Sequence, residues 1–197
     1  MEIDLTQDCI KLALSDQHPI IDFDCGLSDL NEFFNQDALQ YKKQMLSETY
    51  FFRHKINGKI VCAYSFSASS IKTADLPSNR QRKVKKLIPQ EKLMKSYPAI
   101  LIGRLGVAKE YHGKGTGSQL MQEIKNFCLD QFQYFVRYLL VEAYNEPNVV
   151  GFYKKNDFTT VFSTELQEKE NYHQQPIDAL YTRYMFFDMI KWRDIIM

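Results

Sequence analysis

Residues Ile100–Asp130 read ILIGRLGVAKEYHGKGTGSQLMQEIKNFCLD, and their reading decides the fold. Ile100, Leu101, Ile102, Leu105 and Val107 form an apolar run rich in branched side chains, as a buried strand requires. Leu120, Met121, Ile124, Phe127, Cys128 and Leu129 recur at helical spacing. Between the two lies His112-Gly113-Lys114-Gly115-Thr116-Gly117-Ser118. A strand feeding a glycine-rich turn that opens a helix is a ready anion site. Unpaired N–H groups point outward, the helix dipole adds partial positive charge, and glycine lets phosphate approach the main chain. Alternating glycines alone would suit an ordinary strand–helix turn equally well; the strand before and the helix after make the case. Spacing excludes two phosphate motifs. No Gly-Lys-Ser/Thr stands at the Walker A distance from a glycine. The three glycines are spaced GxGxG rather than GxGxxG, without the acidic residue expected after a second strand.

The 197 residues suffice for one domain with a proper core, and 1–197 reads as a single domain carrying a basic insertion around 69–98. Hydrophobic residues at 45% and charged residues at 25% fit an ordinary globular chain. No apolar run approaches the ~20 residues that span a bilayer, and MEIDLTQDC has no signal-peptide pattern. A cytoplasmic protein with no membrane partner is expected. Cys9, Cys25, Cys62 and Cys128 lack metal-type spacing and lie in or beside apolar runs, so they read as reduced, mostly buried thiols. His18, His54 and His173 read as surface or loop residues, the histidines form no ligand cluster, and no metal is expected. A net charge of +1 argues against wholesale nucleic-acid binding. Basic residues nevertheless gather locally: Arg80, Arg82, Lys83, Lys85, Lys86, Lys92 and Lys95 face a single acid, Glu91.

Outward from the central stretch the pattern alternates between strand and helix. Residues 8–15 read as a strand, and 28–45 as a long amphipathic helix capped by Ser28. Residues 49–56 and 59–68 form two strands joined by Asn57-Gly58, a hairpin signal. One or two short helices are expected in 69–98. After the central helix, 134–143 is a buried strand, 148–155 a short helix, 158–163 a strand, 165–176 a polar loop, 180–189 a last strand and 190–197 a tail. This order predicts an α/β (α+β mixed sheet) fold, with a central sheet of about six or seven strands flanked by helices.

The turn also fits [Q/R]-x-x-G-x-[G/A], with His112 in the first place and Gly115 and Gly117 in the others. Residues 151–158 read GFYKKNDF, close to an FYxKxGF pattern, with Asp157 where glycine is usual. At these two motifs the chain resembles the GNAT N-acetyltransferases. That resemblance implies their acyl-CoA N-acyltransferase fold and acetyl-CoA as co-substrate. Leu105, Gly106, Val107, His112, Gly113, Lys114, Gly115, Thr116, Gly117, Ser118 and Asn148 would hold it. It also implies Tyr153 as general acid, a phenol protonating the departing thiolate at closely matched acidity. The pantetheine arm is expected where the central strand and the 134–143 strand part. Gly106 suits close ligand approach or a bulge alike.

FDCGLSDLNEFF (Phe23–Phe34), SETYFF (Ser47–Phe52) and IGRLGV (Ile102–Val107) narrow the resemblance. They are similar to the acetyltransferase toxins of bacterial toxin–antitoxin pairs, which acetylate the α-amine of aminoacyl-tRNA. Under that resemblance Arg80–Lys95 would hold tRNA phosphates; otherwise it is a solvated face. The acceptor, an antitoxin partner and a homodimer stay open, as does a non-catalytic acetyl-CoA-binding or partner-binding module on the same fold. Glu142 is a candidate general base or a salt-bridged strand-end carboxylate. Arg104, inside an apolar strand, is either paired or aimed into the substrate cleft.

Overall fold

The computed structural model describes residues 3–74, 76–86, 88 and 94–196, with Lys83 described in its backbone alone. Glu91 and Lys92 of the basic run lie outside the described residues. Seven strands form one sheet: β1 (Cys9–Ala13), β2 (Glu48–His54), β3 (Ile60–Lys72), β4 (Ser96–Val107), β5 (Tyr138–Tyr144), β6 (Thr159–Thr160) and β7 (Thr182–Asp188). Their order is β1-β2-β3-β4-β5-β7-β6. β1–β2, β2–β3, β5–β7 and β6–β7 pair antiparallel, while β4 and β5 pair in parallel through Ala99–Leu101 and Tyr138–Leu140. The mixed sheet flanked by helices is the predicted class. The chain groups into two compact units, Met1–Ala68 with Ile102–Cys128 and Ser69–Leu101 with Leu129–Met197.

The first unit is built on β2 and β3, where Phe51, Val61, Cys62, Ala63 and Tyr64 are fully buried. The hairpin is present, but its connection runs from Lys55 to Lys59, with Gly58 at φ +70. Short α1 (Leu5–Asp8) precedes β1. The long helix expected over 28–45 is interrupted. It consists of α2 (Ser28–Glu32), a π turn at Phe33–Asp37 and α3 (Ala38–Lys43), and Leu27, not Ser28, holds the N-cap. A 3-10 turn, Lys109–Tyr111, leads towards α5 (Thr116–Phe132). Leu120, Met121 and Ile124 of α5 are fully buried, and Phe127 meets Tyr50 and Phe66 with ring centroids 5.0 and 6.1 Å away. The Lys11 ammonium lies 3.5 Å over the Phe127 ring.

In the second unit both strands flanking the basic insertion reach into it, β3 to Lys72 and β4 from Ser96. Within it α4 (Ser78–Val84) docks through Val84 and through the Tyr138 hydroxyl, which donates to Val84 O at 2.6 Å. Arg137 donates to Lys86 O and forms a two-pronged pair with Asp188. α6 (Pro147–Lys155) starts on a proline, a good first helical residue because its missing N–H needs no partner there. The 190–197 tail is helical, as α8 (Met189–Ile196).

The polar loop expected at 165–176 is in part a helix, α7 (Glu165–Asn171), capped by the Thr164 hydroxyl. Its anchor is Glu168, 0% exposed, which accepts from Arg183 Nε at 2.7 Å and from Tyr184 N at 2.5 Å. Removing one partner of a buried, hydrogen-bonded ion pair leaves the other charge uncompensated. Glu168→Ala is therefore expected to cost about 3–5 kcal/mol of unfolding free energy, read by urea denaturation. An equal substitution at the exposed Glu170 should change it by less than about 0.5 kcal/mol.

Candidate active site

The glycine-rich turn lies in the first unit, between the 3-10 turn and α5. Gly113 and Gly115 have φ of +71 and +78, a left-handed backbone that side chains resist, and the space where their Cβ atoms would sit is open. Ser118 N and Gln119 N both donate to Gly115 O. The N–H groups of Thr116 and Gly117 have no carbonyl one turn earlier within α5. The Thr116 hydroxyl is buried and without a hydrogen-bond partner. Open space, forced glycines, free amides and an orphaned hydroxyl fit a phosphate-bearing ligand.

The polar side chains around the turn fold back on the main chain. Lys114 Nζ donates to Glu110 O, and the ammonium lies 6.0 Å from the Tyr111 ring centroid. His112 Nε2 lies 2.7 Å from Val107 O. A carbonyl only accepts, so Nε2 carries the proton. His112 thus braces the end of β4.

Gly106 is accounted for by packing. A Cβ there would meet Phe23 Cε1 at 3.1 Å and Cys25 Cβ at 3.2 Å. The Phe23–Gly26 strap is held rigidly: Asn35 accepts from Phe23 N and donates to Phe23 O, and Asn31 accepts from Cys25 N. Asp24 joins the strap to the residue after β4, with its Oδ2 2.8 Å from Lys109 Nζ and its O accepting from Lys109 N. The Lys109 ammonium, with Asn31 and the Gly26 amide, holds the Asp24 carboxyl down at about 2. Arg104 points outward, exposed, with its guanidinium 5.3 Å from the Phe33 ring centroid, so no charge is buried in β4.

In the second unit Tyr153 and Asn148 sit on α6. Asn148 is exposed in the first turn. Tyr153 is 8% exposed, between Phe152 and Phe158 with ring centroids 5.1 and 5.5 Å away. Among the described residues its hydroxyl has no partner. Burial raises the phenol well above its ordinary value, further from a thiol than the sequence implied. Phe158 packs on Phe187, which pairs with Leu139, so Tyr153 covers the Leu139–Val141–Ala143 face of β5. Glu142 belongs to the other face, opposite Tyr184, exposed and without an ion pair among the described residues. It lines a cavity with Ser69, Ser70, Tyr172 and Tyr184. Apart from Glu142, sequence reading missed these residues, which no motif or spacing links. All four cysteines are buried and free. Among the described residues no cluster could hold a metal, and no helix is long and apolar enough to cross a membrane.

Residues 84–160, which include the turn and Tyr153, match the family model described as an acetyltransferase (GNAT) domain. The chain is 25% identical over 146 residues to a tRNA-acetylating toxin of Mycobacterium tuberculosis, covering 74% of this chain and 81% of that protein. Among solved structures it is similar to AtaT complexed with acetyl-methionyl-tRNAfMet, with a TM-score of 0.72 and 21% identity over 96% of this chain and 100% of that one. It is also similar to AtaTR bound with AcCoA, with a TM-score of 0.65 and 22% identity over 96% and 99%. The motifs, the fold and these likenesses converge: residues 84–160 match the GNAT acetyltransferase domain, and the chain is an N-acetyltransferase with acetyl-CoA as its co-substrate.

Proposed function

We propose that the acceptor is the α-amine of an aminoacyl-tRNA. The observation that carries this reading is the likeness to a tRNA-acetylating toxin over 74% of the chain. The exposed Arg82 and Lys86, with the backbone of Lys83 and the half-buried Lys85 between them, supply a cationic edge suited to a phosphate backbone. On this reading the pyrophosphate of acetyl-CoA rests on the 112–118 turn, against the amides of Thr116 and Gly117. Its phosphate oxygens would satisfy the Thr116 hydroxyl. Leu105, Gly106 and Val107 offer main chain to the pantetheine arm, and Asn148 a side-chain amide at the start of α6. His112, already engaged by Val107 O, serves as a brace for the turn.

Acetyl-CoA supplies the thioester. The neutral α-amine of the acceptor attacks the thioester carbonyl carbon, a C–N bond forms, the C–S bond breaks, and the amine nitrogen loses its proton to solvent. Tyr153 gives its hydroxyl proton to the departing sulfur. Burial keeps Tyr153 neutral throughout the physiological range, and a thiolate formed in the same dry surroundings is made more basic by the same desolvation. The α-amine of an aminoacyl ester needs little help to lose its proton near neutral pH, so a dedicated base is dispensable.

Calorimetric titration with acetyl-CoA should show binding that Gly115→Glu abolishes, because the new side chain strains a φ of +78 and sets a carboxylate beside the phosphates. Unchanged binding would remove the turn from the site. Tyr153→Phe should bind acetyl-CoA normally and lose about 10²–10⁴-fold in kcat for acetylation of aminoacyl-tRNA; full turnover would exclude Tyr153 as the acid. Reversing charge at Arg82, Lys85 and Lys86 should flatten the dependence of log Kd for tRNA on log salt by about 0.7–0.9 for each phosphate no longer neutralised. An unchanged slope would make this edge solvated surface.

A further inference from the structure

Both carboxylate oxygens and the main-chain oxygen of Asp24 are engaged. Oδ1 accepts from Gly26 N at 2.9 Å and from Asn31 Nδ2 at 2.8 Å, and Oδ2 lies 2.8 Å from Lys109 Nζ. The Asp24 main-chain O accepts from Lys109 N at 3.0 Å. Lys109 in turn lays its stem across Gly26, where a Cβ would meet Cε at 3.2 Å and Cγ at 3.6 Å. Gly26 has a φ of +92, a backbone that side chains resist. Carboxylate, glycine and lysine thus form one interlocked cluster. An ion pair between side chains as exposed as these adds little to global stability, so its worth lies elsewhere.

Its place in the chain shows where. Lys109 opens the 3-10 turn that leads into residues 112–118. Lys109 N is held by Asp24 O, and Lys109 O accepts from His112 N at 3.1 Å. The strap therefore grips the very residue on which the start of the glycine-rich turn hangs. Glu110, next along, pairs with Lys59 at 3.3 Å, and its O accepts from Lys114 Nζ. Beyond His112 the neighbours thin out, and the space beside Gly113 and Gly115 is open. The position of the turn's amides is decided at its base.

We infer that Asp24 and Lys109 are positioning residues for acetyl-CoA, which set the amides of Thr116 and Gly117 by fixing the base of the turn and do not touch the ligand. The inference rests on the reading of the 112–118 turn as the pyrophosphate site. Charge alone and positioning predict opposite signs here. A carboxylate near a pyrophosphate repels it, and removing that charge also frees the Lys109 ammonium, so by charge alone Asp24→Asn tightens binding. By positioning it weakens binding. The new amide can still accept from Gly26 N and Asn31 Nδ2 but no longer holds the Lys109 ammonium.

The test is calorimetric titration of the full chain with acetyl-CoA, together with the melting temperature of each ligand-free protein. The variants are Asp24→Asn, Lys109→Met, their double, Lys109→Arg and, for reference, Gly115→Glu. Lys109→Met keeps an apolar stem over Gly26 without the ammonium, and Lys109→Arg keeps both. Asp24→Asn and Lys109→Met should each raise Kd by about tenfold, the worth of one main-chain hydrogen bond to a charged group, at an unchanged melting temperature. The double variant should bind no more weakly than either single one, and Lys109→Arg should bind as the wild type does. Unchanged or tighter binding by Asp24→Asn would overturn the inference, and so would additive losses in the double variant. Weaker binding accompanied by a lower melting temperature would make the cluster a general support of the fold and would overturn it too. In each of these cases loss of binding in Gly115→Glu leaves the turn reading intact. Unchanged binding in Gly115→Glu would defeat that reading and the inference with it.

Discussion

The space where a side chain would stand on Gly106 is occupied by Phe23 and Cys25. That single steric fact ties the end of β4 to the Phe23–Gly26 strap, and the glycine-rich turn depends on both. Packed interiors do not yield continuously, so a strand held by an aromatic ring within 3.2 Å is held in one place. Asn31 and Asn35 complete the strap from α2 and the π turn, and Lys109 closes it on the residue after β4. The turn then begins from a fixed point, which a phosphate site needs because its donors are main-chain amides that cannot adjust one by one.

The second unit obeys a different constraint. Leu139, Leu140 and Val141 of β5 are buried at 0–1% exposure, so the strand is covered on both faces at its middle. A charge can sit in such a strand only where one face is left open. Glu142 marks that opening. Alternation places it on the face of Leu140 and Tyr184, while Ala143 and Val141 turn towards the face covered by Tyr153 and Phe158. One strand thereby separates the buried Tyr153 from an exposed carboxylate. The difference in exposure between the two residues is set by pleat geometry.

Elements whose buried contacts are apolar were legible in the chain. The β2–β3 hairpin, β5 and α5 announce themselves through periodicity, and the turn through forced glycines. Where a different physics decides, the pattern is silent. α7 buries a carboxylate and leaves Leu166 half exposed, so its sequence reads as a polar loop even though Glu168 anchors it. In the π turn the Phe33 and Phe34 rings meet edge to face with centroids 5.4 Å apart, a contact that no local propensity encodes. Gly106 could be read as a place for ligand or for a bulge, because the atoms that explain it lie some eighty residues earlier in the chain. Arg104 looked like a buried charge only because its neighbours are apolar; strand alternation turns it outward onto Phe33. The cavity wall gathers Ser69, Glu142, Tyr172 and Tyr184, whose proximity is a product of topology.

Glu142 supports nothing else among the described residues. It makes no ion pair or hydrogen bond among the described residues and lies at the exposed end of β5, whereas Glu168 nearby cannot change without loosening α7. A lineage of such chains is thus free to vary the first position and constrained at the second. Single substitutions at Glu142 should leave stability nearly constant, whereas the Phe23–Gly26 strap and the glycine-rich turn, held by close packing and forced backbone, cannot vary so freely.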